Sequence, residues 1–299
     1  MDQMRYSALP ERGLISLSGG DARRFLQDLV SNDIDRVGTA RAVYAALLTP
    51  QGKYLFDFFV TATADALLLD CERERLPALM KRLAMYRLRA DVEIHDASDE
   101  LAVHVAYGEA ALAALDLPAE PGAGRDFAGG TAFVDPRLAA AGARIIATRG
   151  SAEAALEAQG FVAAPADDYD ALRLGLGLPD GSRDLEVDRT ILLEGNFEEL
   201  NGVDFQKGCF VGQEVTARSK YRGLVKKRLL PVRIEGPLPA PETPVMLGDK
   251  EAGVVRSGRD GIAMALLRLE RVAAARDSGE ALSAGEAKLL PLTPEWASF

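Results

Sequence analysis

The sequence predicts an α+β protein with antiparallel sheets, built from more than one domain. The chain has 299 residues, which exceeds what one hydrophobic core usually serves. An amphipathic segment near the N-terminus is followed by paired apolar runs, and the chain has no alternating βαβ pattern. From Leu229 onward, short apolar runs recur at even spacing with turns between them. This last pattern predicts a terminal β-barrel or sandwich.

The N-terminal part predicts one helix and three strands. The segment DARRFLQDLVSND places Phe25, Leu26, Leu29 and Val30 on one helical face. The runs AVYAALLT and LFDFFVTATA flank the turn signal PQG, so they predict a hairpin. The run ALLLD predicts a third strand.

The middle of the chain predicts a second helix, a small satellite unit and a third helix. ERERLPALMKRLAMYRL has helical periodicity, with Pro77 near its start. VEI and LAVHVAY predict strands. Between Glu109 and Ala166 the composition shifts to Ala, Gly and Pro around short strands, which indicates a small α+β unit. DYDALRLGLGL begins as a helix and ends in glycines.

The charge and cysteine content indicate a soluble, reduced protein. The net charge of −10 opposes non-specific binding to nucleic acid or to an anionic membrane. Cys71 and Cys209 form no CxxC motif, the first residues do not have the pattern of a secretory signal, and no apolar run is long enough to span a bilayer. We therefore expect a cytoplasmic protein without membrane association.

A cysteine loop carries the strongest chemical signal. Lys207 and Gly208 precede Cys209, and Gly212 precedes a polar, helix-like run. A neighbouring ammonium and a helix N-terminus both favour thiolate over thiol, and glycines let backbone N–H groups approach an anion. A turn with an incidental buried cysteine is the alternative.

A basic run follows the cysteine loop. Residues 218–228 contain six basic side chains and no acidic one: Arg218, Lys220, Arg222, Lys226, Lys227 and Arg228. The run predicts either a site for a polyanionic ligand tail or RNA phosphates, or a solvated face.

Asp57 is a carboxylate within the apolar run LFDFFV, where it is costly unless it is satisfied. It can bind a ligand rich in N–H donors, for which an amino-pyrimidine edge such as that of a pterin is suitable, or pair with an internal arginine such as Arg173.

The sequence signals for dinucleotide, metal or iron–sulfur binding are weak. GLGLPDG has the wrong spacing for a dinucleotide loop, and His95, His104 and the two cysteines match no compact zinc pattern, so we expect no metal site. Two cysteines cannot supply the four thiolates of a usual iron–sulfur cluster, so we expect no complete cluster of its own.

The octapeptide KGCFVGQE at 207–214 resembles the signature of the YgfZ branch of the folate-binding YgfZ/GcvT family, which includes mitochondrial iron–sulfur assembly factors. GDARRFLQDLVSNDI, LLTPQGKYLFDFF and LRLGLGLP also resemble family segments, in the family's order. The resemblance implies an aminomethyltransferase-like ring of domains around a tetrahydrofolate site, with a folate-binding region at 1–228, a ferredoxin-like subdomain near 96–164 and a C-terminal barrel at 229–299. It implies a role in assembling or maintaining [4Fe–4S] proteins, and in bacteria support of tRNA methylthiolation.

The resemblance also assigns residues. Lys207, Gly208 and Cys209 match the functional motif, which Gln213, Glu214 and Arg218 continue, and Asn32 with Asp33 matches a pair shared with the aminomethyltransferase. Two positions depart from the transferase. Phe56 precedes Asp57 where the transferase has paired aspartates, and Gly175 stands where it has a pterin-binding glutamate. Folate binding therefore depends on Asp57, Arg173 and other contacts.

Three functions follow, in order of preference. The first is a folate-linked iron–sulfur maintenance factor in which Cys209 contacts a cluster, a client or a one-carbon adduct, with iron–sulfur client or scaffold proteins as partners. The second is a folate-dependent aminomethyl- or methyltransferase. The third is an RNA-binding module that uses residues 218–228, which the acidic net charge disfavours.

Overall fold

The structure, a computed structural model, describes residues 3–223 and 225–299. Two compact units are present. The first comprises residues 3–48, 55–169 and 200–211, and the second comprises 49–54, 170–199, 212–223 and 225–299. The chain thus leaves the first unit and returns to it, and the segment 200–211 that carries Cys209 belongs to the first unit.

The first unit contains two sheets with helices beside them. Its elements are β1 (Arg5–Ala8), β2 (Arg12–Ser18), α1 (Ala22–Leu29), β3 (Val43–Leu48), β4 (Tyr54–Ala62), β5 (Leu67–Glu72), α2 (Leu76–Arg87), β6 (Glu93–Asp96), β7 (Leu101–Tyr107), α3 (Ala111–Ala114), β8 (Gly124–Phe127), β9 (Gly130–Val134), β10 (Ala143–Thr148), α4 (Ser151–Ala158) and β11 (Val162–Ala163). One sheet has the strand order β3-β4-β5-β2-β6, and the other has the order β11-β1-β7-β10-β9-β8.

The hairpin and both helices lie where the hydrophobic pattern predicts them. β3 and β4 are buried along their whole length, which explains their continuous apolar runs. Helix α1 buries Phe25, Leu26 and Leu29, whereas Val30 is extended and ends the helix. Pro77 lies in the first turn of α2, where its missing N–H leaves no helical hydrogen bond unmade. Antiparallel pairing predominates as expected, and β1 with β11 is a parallel pair.

The second unit contains a closed six-stranded barrel. Its elements are α5 (Ala166–Gly175), whose first residues belong to the first unit, α6 (Gly181–Asp184), α7 (Gln213–Tyr221), β12 (Lys227–Glu235), β13 (Pro244–Leu247), β14 (Lys250–Arg259), β15 (Ile262–Arg268), α8 (Leu269–Ser278), β16 (Leu282–Ala284) and β17 (Ala287–Pro291). The barrel order is β12-β15-β14-β13-β16-β17. Aliphatic side chains such as Val232, Val255 and Leu267 fill it.

The predicted α+β class with a C-terminal barrel is confirmed. The boundary between residues 228 and 229 and the ferredoxin-like subdomain stay predictions. Within the described residues, no helix is both long enough and apolar enough to cross a membrane.

Candidate functional site

The cysteine loop, residues 200–211 of the first unit, presents an exposed thiol. Cys209 is exposed, and the next residue, Phe210, is buried and anchors the loop. Cys71, in contrast, is buried within β5, and burial raises the pKa of its thiol to about 12. Cys209 is therefore accessible, which rules out the alternative of a buried cysteine at this position, whereas activation of its thiol stays a prediction.

The residues that end α1 hold the start of the cysteine loop. Ser31 Oγ donates to the Gly202 carbonyl at 2.6 Å, and the Ser31 carbonyl accepts from the Asp204 N–H at 3.0 Å. Asn32 Nδ2 donates to the Asn201 carbonyl at 2.7 Å and to the Tyr44 carbonyl of β3 at 2.7 Å. Buried amide donors of this kind position a backbone because leaving either carbonyl unpaired is costly.

Lys207 completes this attachment. Its ammonium donates to the carbonyls of Gln27 and, at 2.7 Å, of Val30, and it lies 5.4 Å from the centre of the Phe210 ring. A lysine at a helix C-terminus satisfies the last carbonyls and interacts favourably with the helix dipole. Burial lowers the pKa of Lys207 to about 8, although nearby aspartates oppose the shift. These contacts give Lys207 a positioning role, and activation of the Cys209 thiol by its charge stays a prediction.

The two glycines of the motif have different structural reasons. Gly208 has φ +99°, in the left-handed region, and lies exposed beside Cys209. Gly212 has φ +83° and precedes α7 in the second unit, where a Cβ would stand 2.6 Å from the Thr49 carbonyl and 2.9 Å from Gly52 Cα. A Cβ on Gly52 would in turn lie 2.8 Å from that of Val215. Close packing on the PQG turn is thus a structural reason for the second motif glycine, and approach of its backbone to an anion stays a prediction.

Asp57 lies in β4 with 5% of its surface exposed. Its Oδ2 accepts a hydrogen bond of 2.8 Å from the Tyr44 hydroxyl. Burial and the adjacent Asp57 charge raise the pKa of Tyr44 well above its ordinary value, so the phenol stays a donor. Tyr44 links Asp57 to Asn32, because its hydroxyl donates to Asp57 and its backbone carbonyl accepts from Asn32 Nδ2. Asn32 also contacts the cysteine loop. The first unit therefore connects Asp57 and Asn32 to the start of the cysteine loop at Asn201.

A buried arginine cluster surrounds Phe59 in the same unit. The guanidinium carbons of Arg144 and Arg137 lie 4.0 Å and 4.8 Å from the Phe59 ring centre. Arg144 and Arg12 both bind Asp70. Arg137 binds Asp135, lies 5.4 Å from the Tyr44 ring, and with its charge and hydrogen bonds holds the pKa of Asp135 below its ordinary value although burial opposes this. Sequence reasoning missed Ser31, Tyr44 and Arg137. The sequence signal for these three residues was a polar side chain beside or inside an element that is predicted to be buried.

Arg173 belongs to a buried network of the second unit. Its guanidinium binds Asp170 at 2.8 Å, Asp184 at 2.5 Å and Ser257 Oγ at 2.6 Å. These contacts form a structural ion-pair network within the second unit. A role for Arg173 in cofactor binding stays a prediction, and the network leaves little of the guanidinium for a ligand.

The polar residues after Gly212 lie on α7. Gln213 is half-buried in its first turn, and Glu214 pairs with Arg218 one turn on at 2.6 Å with both side chains exposed. Such exposed pairs contribute little stability. Within the basic run, Lys220 also pairs with Glu198, and the buried Arg228 pairs with Glu199. Three of the six basic side chains are thus offset by glutamates, which weakens the field that RNA binding requires.

Gly175, the position that replaces the transferase glutamate, ends α5 and is exposed. Within the described residues no atom stands within 4 Å of the place a Cβ would take, and its φ is not in the left-handed region. Packing therefore does not require glycine here. The same residues contain no group of three or more His, Cys, Asp or Glu side chains that could hold a metal ion.

Comparison with known proteins identifies the family. The chain is 35% identical over 286 residues to "Iron-sulfur cluster assembly factor IBA57, mitochondrial" of Mus musculus, covering 88% of this chain and 77% of that protein. The chain belongs to the IBA57 family. The human IBA57 protein is 33% identical with the same coverage, and the Neurospora crassa homologue is 31% identical over 250 residues, covering 79% of this chain and 55% of its own. The resemblance drawn from the KGCFVGQE motif is confirmed.

Two further comparisons concern the fold of this IBA57-family chain. Residues 226–299 match the family model "CAF17, C-terminal beta-barrel domain". The crystal structure of the glycine cleavage system aminomethyltransferase T from Bartonella henselae superposes with a TM-score of 0.76 at 18% identity, covering 99% of this chain and 86% of that one. The aminomethyltransferase-like fold is therefore confirmed.

The expected cytoplasmic location is wrong. The curated IBA57 relatives from mouse, Neurospora crassa and human are all named as mitochondrial proteins, and these names point to mitochondria instead. The error came from reasoning about the absence of secretory and membrane signals, which does not distinguish two reducing compartments from each other.

Proposed function

We propose that this IBA57-family protein is a folate-linked accessory factor for the assembly or maintenance of [4Fe–4S] proteins, and that the Cys209 thiol contacts the cluster, the client or a one-carbon adduct. The observation that carries the proposal is the exposed Cys209 on a loop tied to the end of α1 through Ser31, Asn32 and Lys207. A thiolate is the form that ligates metal. With Cys71 buried, one accessible thiolate can be only part of a cluster site shared with a client or scaffold protein.

The Cys209→Ser variant tests the role of the thiol. We expect the variant to fold normally, since position 209 is exposed, but to fail in restoring a [4Fe–4S] enzyme activity and tRNA methylthiolation in a strain that lacks the protein. Cys71→Ala is the matched control, because it also removes a thiol, and it should restore both activities. Full restoration by Cys209→Ser at equal protein level would remove Cys209 from the function.

Support for folate binding comes from Asp57 and is limited by Gly175. The Asp57 carboxylate accepts a hydrogen bond from the Tyr44 hydroxyl, and a carboxylate is the group whose two oxygens match the adjacent donors of an amino-pyrimidine edge. Anaerobic calorimetry with tetrahydrofolate measures the interaction directly. Micromolar affinity, about −8 kcal/mol, is the expected result. Asp57→Asn should weaken binding, since it replaces one acceptor by a donor.

Gly175→Glu sharpens the folate test. The position is open, so a glutamate fits without steric conflict. If the fold has retained the transferase's pterin site, restoring the carboxylate should tighten tetrahydrofolate binding by about tenfold or more, as expected for a charge-assisted bidentate contact. Gly175→Gln is the control for side-chain size. If titration with tetrahydrofolate gives no heat of binding for either the native protein or Gly175→Glu, this family member does not bind folate.

Aminomethyl or methyl transfer is the alternative function, supported by the aminomethyltransferase-like fold. It requires a positioned carboxylate, and Asp57 is the candidate. Formation of methylenetetrahydrofolate from tetrahydrofolate and an aminomethyl donor, with release of ammonia, in a single turnover would favour transfer over the accessory role.

A further inference from the structure

Helix α2 leaves one face outside the fold. Its buried stripe consists of Leu76, Leu79 and Leu83. Met85 and Leu88 lie on the other side, 61% and 89% exposed, and Leu88 is the most exposed large apolar side chain in the described part of the chain. Lys81, Met85 and Leu88 follow the spacing i, i+4, i+7, which places them along one face.

The packing of the folded chain does not explain why a leucine stands at position 88. It ends α2 with φ +44° and ψ −102°, a backbone conformation that glycine adopts and that side chains such as leucine rarely adopt. A leucine at this position has an unfavourable backbone conformation and gains almost no burial in exchange. A residue that costs stability in the isolated protein is expected where a partner contacts its side chain.

The charged side chains from residue 75 to residue 90 are all basic, and the next carboxylate along the chain is that of Asp91. Residues 75–90 contain five basic side chains and no acidic one, in a chain of net charge −10. Arg75 is used internally, since it donates to the Leu55 carbonyl. Throughout the described residues, Lys81, Arg87 and Arg89 enter no ion pair, and all three are exposed. We call Lys81, Met85, Arg87, Leu88 and Arg89 the α2 surface.

A groove adjoins the α2 surface. Tyr86 and Ala90, which alternate with the α2 surface residues, line a cavity of about 330 Å³ together with Phe25, Leu29 and Arg24 of α1. This volume is at the lower end of the roughly 300–1,000 Å³ of ligand pockets. On the α1 side of the groove Asp21 and Asp28 outnumber Arg24, so we expect the carboxylates of an occupant to face the α2 side.

We propose that the α2 surface docks an acidic partner protein, which covers Met85 and Leu88, places an aliphatic side chain in the adjoining groove and pairs its carboxylates with Lys81, Arg87 and Arg89. Charge complementarity selects this partner. A small ligand in the groove would leave Leu88 uncovered. An anionic bilayer is disfavoured because the protein's net charge of −10 repels it. The proposal goes beyond the function proposed above and does not depend on it.

The test uses the full-length protein and fluorescent helical peptides in which Leu repeats at i, i+3, i+4 and Glu fills the other positions. Matched peptides carry Lys for Glu, or Ser for Leu. Only the Glu/Leu peptide should bind, and higher salt should weaken it. Leu88→Gly and the double variant Arg87→Glu with Arg89→Glu should each lower its affinity by about tenfold or more. Leu238→Ser, which alters an exposed apolar residue of the second unit, should not.

Stability measurements distinguish docking from unfolding. Leu88→Gly removes an exposed side chain and supplies the residue that best tolerates a positive φ, so its melting temperature should equal or exceed that of the native protein. Lost peptide binding with retained stability supports the docking role. Equal binding by Leu88→Gly, or binding of the Lys/Leu peptide instead, overturns the proposal.

Two further readouts identify the occupant. Vesicles containing phosphatidylglycerol should not retain the protein, and retention that Leu88→Gly abolishes would make the α2 surface a membrane site and overturn the proposal. A photo-crosslinking residue at Met85 in cells should join the chain to a protein segment rich in Asp or Glu with aliphatic residues. Crosslinking to a basic segment also overturns the proposal. So does the lack of any crosslinked protein when the photo-crosslinking residue is placed at Met85 and, in a second variant, at Leu88. None of these measurements involves a cluster or folate, so they can fail while the proposed function holds.

Discussion

The Lys207 ammonium donates a hydrogen bond of 2.7 Å to the carbonyl of Val30, the residue that ends α1. The motif lysine is thus bonded to the helix whose amphipathic pattern begins the family resemblance. Through this contact, two segments that are 177 residues apart become one local structure beside the exposed Cys209. The following predictions test that structure.

The Lys207 environment predicts a pH dependence of stability. Its pKa in the folded protein is about 8, below the ordinary 10.5. Between these values the unfolded chain binds more protons than the folded one, so the free energy of unfolding should rise with pH relative to a Lys207→Met variant. Below pH 8 the difference between the two proteins should be constant. Urea unfolding from pH 7 to 10.5 measures this difference in unfolding free energy. If the difference stays constant over the whole pH range, the environment assigned to Lys207 is wrong.

Asn32→Ala should loosen the cysteine loop. The substitution removes the amide that donates to the buried carbonyl of Tyr44 and to the carbonyl of Asn201. We expect a loss of about 2–4 kcal/mol in unfolding free energy and faster hydrogen exchange in residues 201–209. Gln206→Ala, an exposed change in the same loop, should alter stability by less than about 0.5 kcal/mol. Equal effects of the two variants would argue against the positioning role of Asn32.

Gly212→Ala should destabilise the second unit through packing. At Gly212 an added Cβ meets the Thr49 carbonyl at 2.6 Å, whereas at Gly150, which has a similar φ of +80°, the described residues leave the space open. Both substitutions incur backbone strain, and only the first incurs a clash. Chemical denaturation should therefore show Gly212→Ala to be less stable than Gly150→Ala by about 1–3 kcal/mol. Similar losses of unfolding free energy in the two variants would mean that the PQG turn shifts to accommodate the added Cβ without loss of stability.

The two cysteines should differ in alkylation. Iodoacetamide reacts with thiolates that it can reach, so Cys209 should be modified in the native protein. Cys71 is buried and its pKa is raised to about 12, so it should react only after unfolding. Mass spectrometry of tryptic peptides counts both adducts. Native labelling of Cys71 at the rate of Cys209 would be inconsistent with the packing of β5.

The α+β class, the helices α1 and α2, the β3–β4 hairpin and the C-terminal barrel could be predicted because each depends on a local pattern. Helical periodicity, a turn between two apolar runs and evenly spaced short strands are properties of neighbouring residues. The KGCFVGQE motif similarly identified the family and Cys209 as the candidate thiol. Location was predicted incorrectly, because the absence of signals is compatible with more than one compartment.

The partners of the motif residues could not be predicted, because they come from distant segments. A lysine before a cysteine suggests thiol activation, but nothing in that pattern predicts the bonds that the Lys207 ammonium makes to the carbonyls of Gln27 and Val30. Asp57 and Arg173 are both buried charges, yet one contacts Tyr44 and the other Asp170 and Asp184. The sequence determined by itself which elements form and which residues carry reactive groups, since those depend on local propensity and residue chemistry. Only the tertiary structure decided which groups are exposed, which are neutralised and which position the loop, because buried polar groups take whatever partner the packing of remote segments supplies.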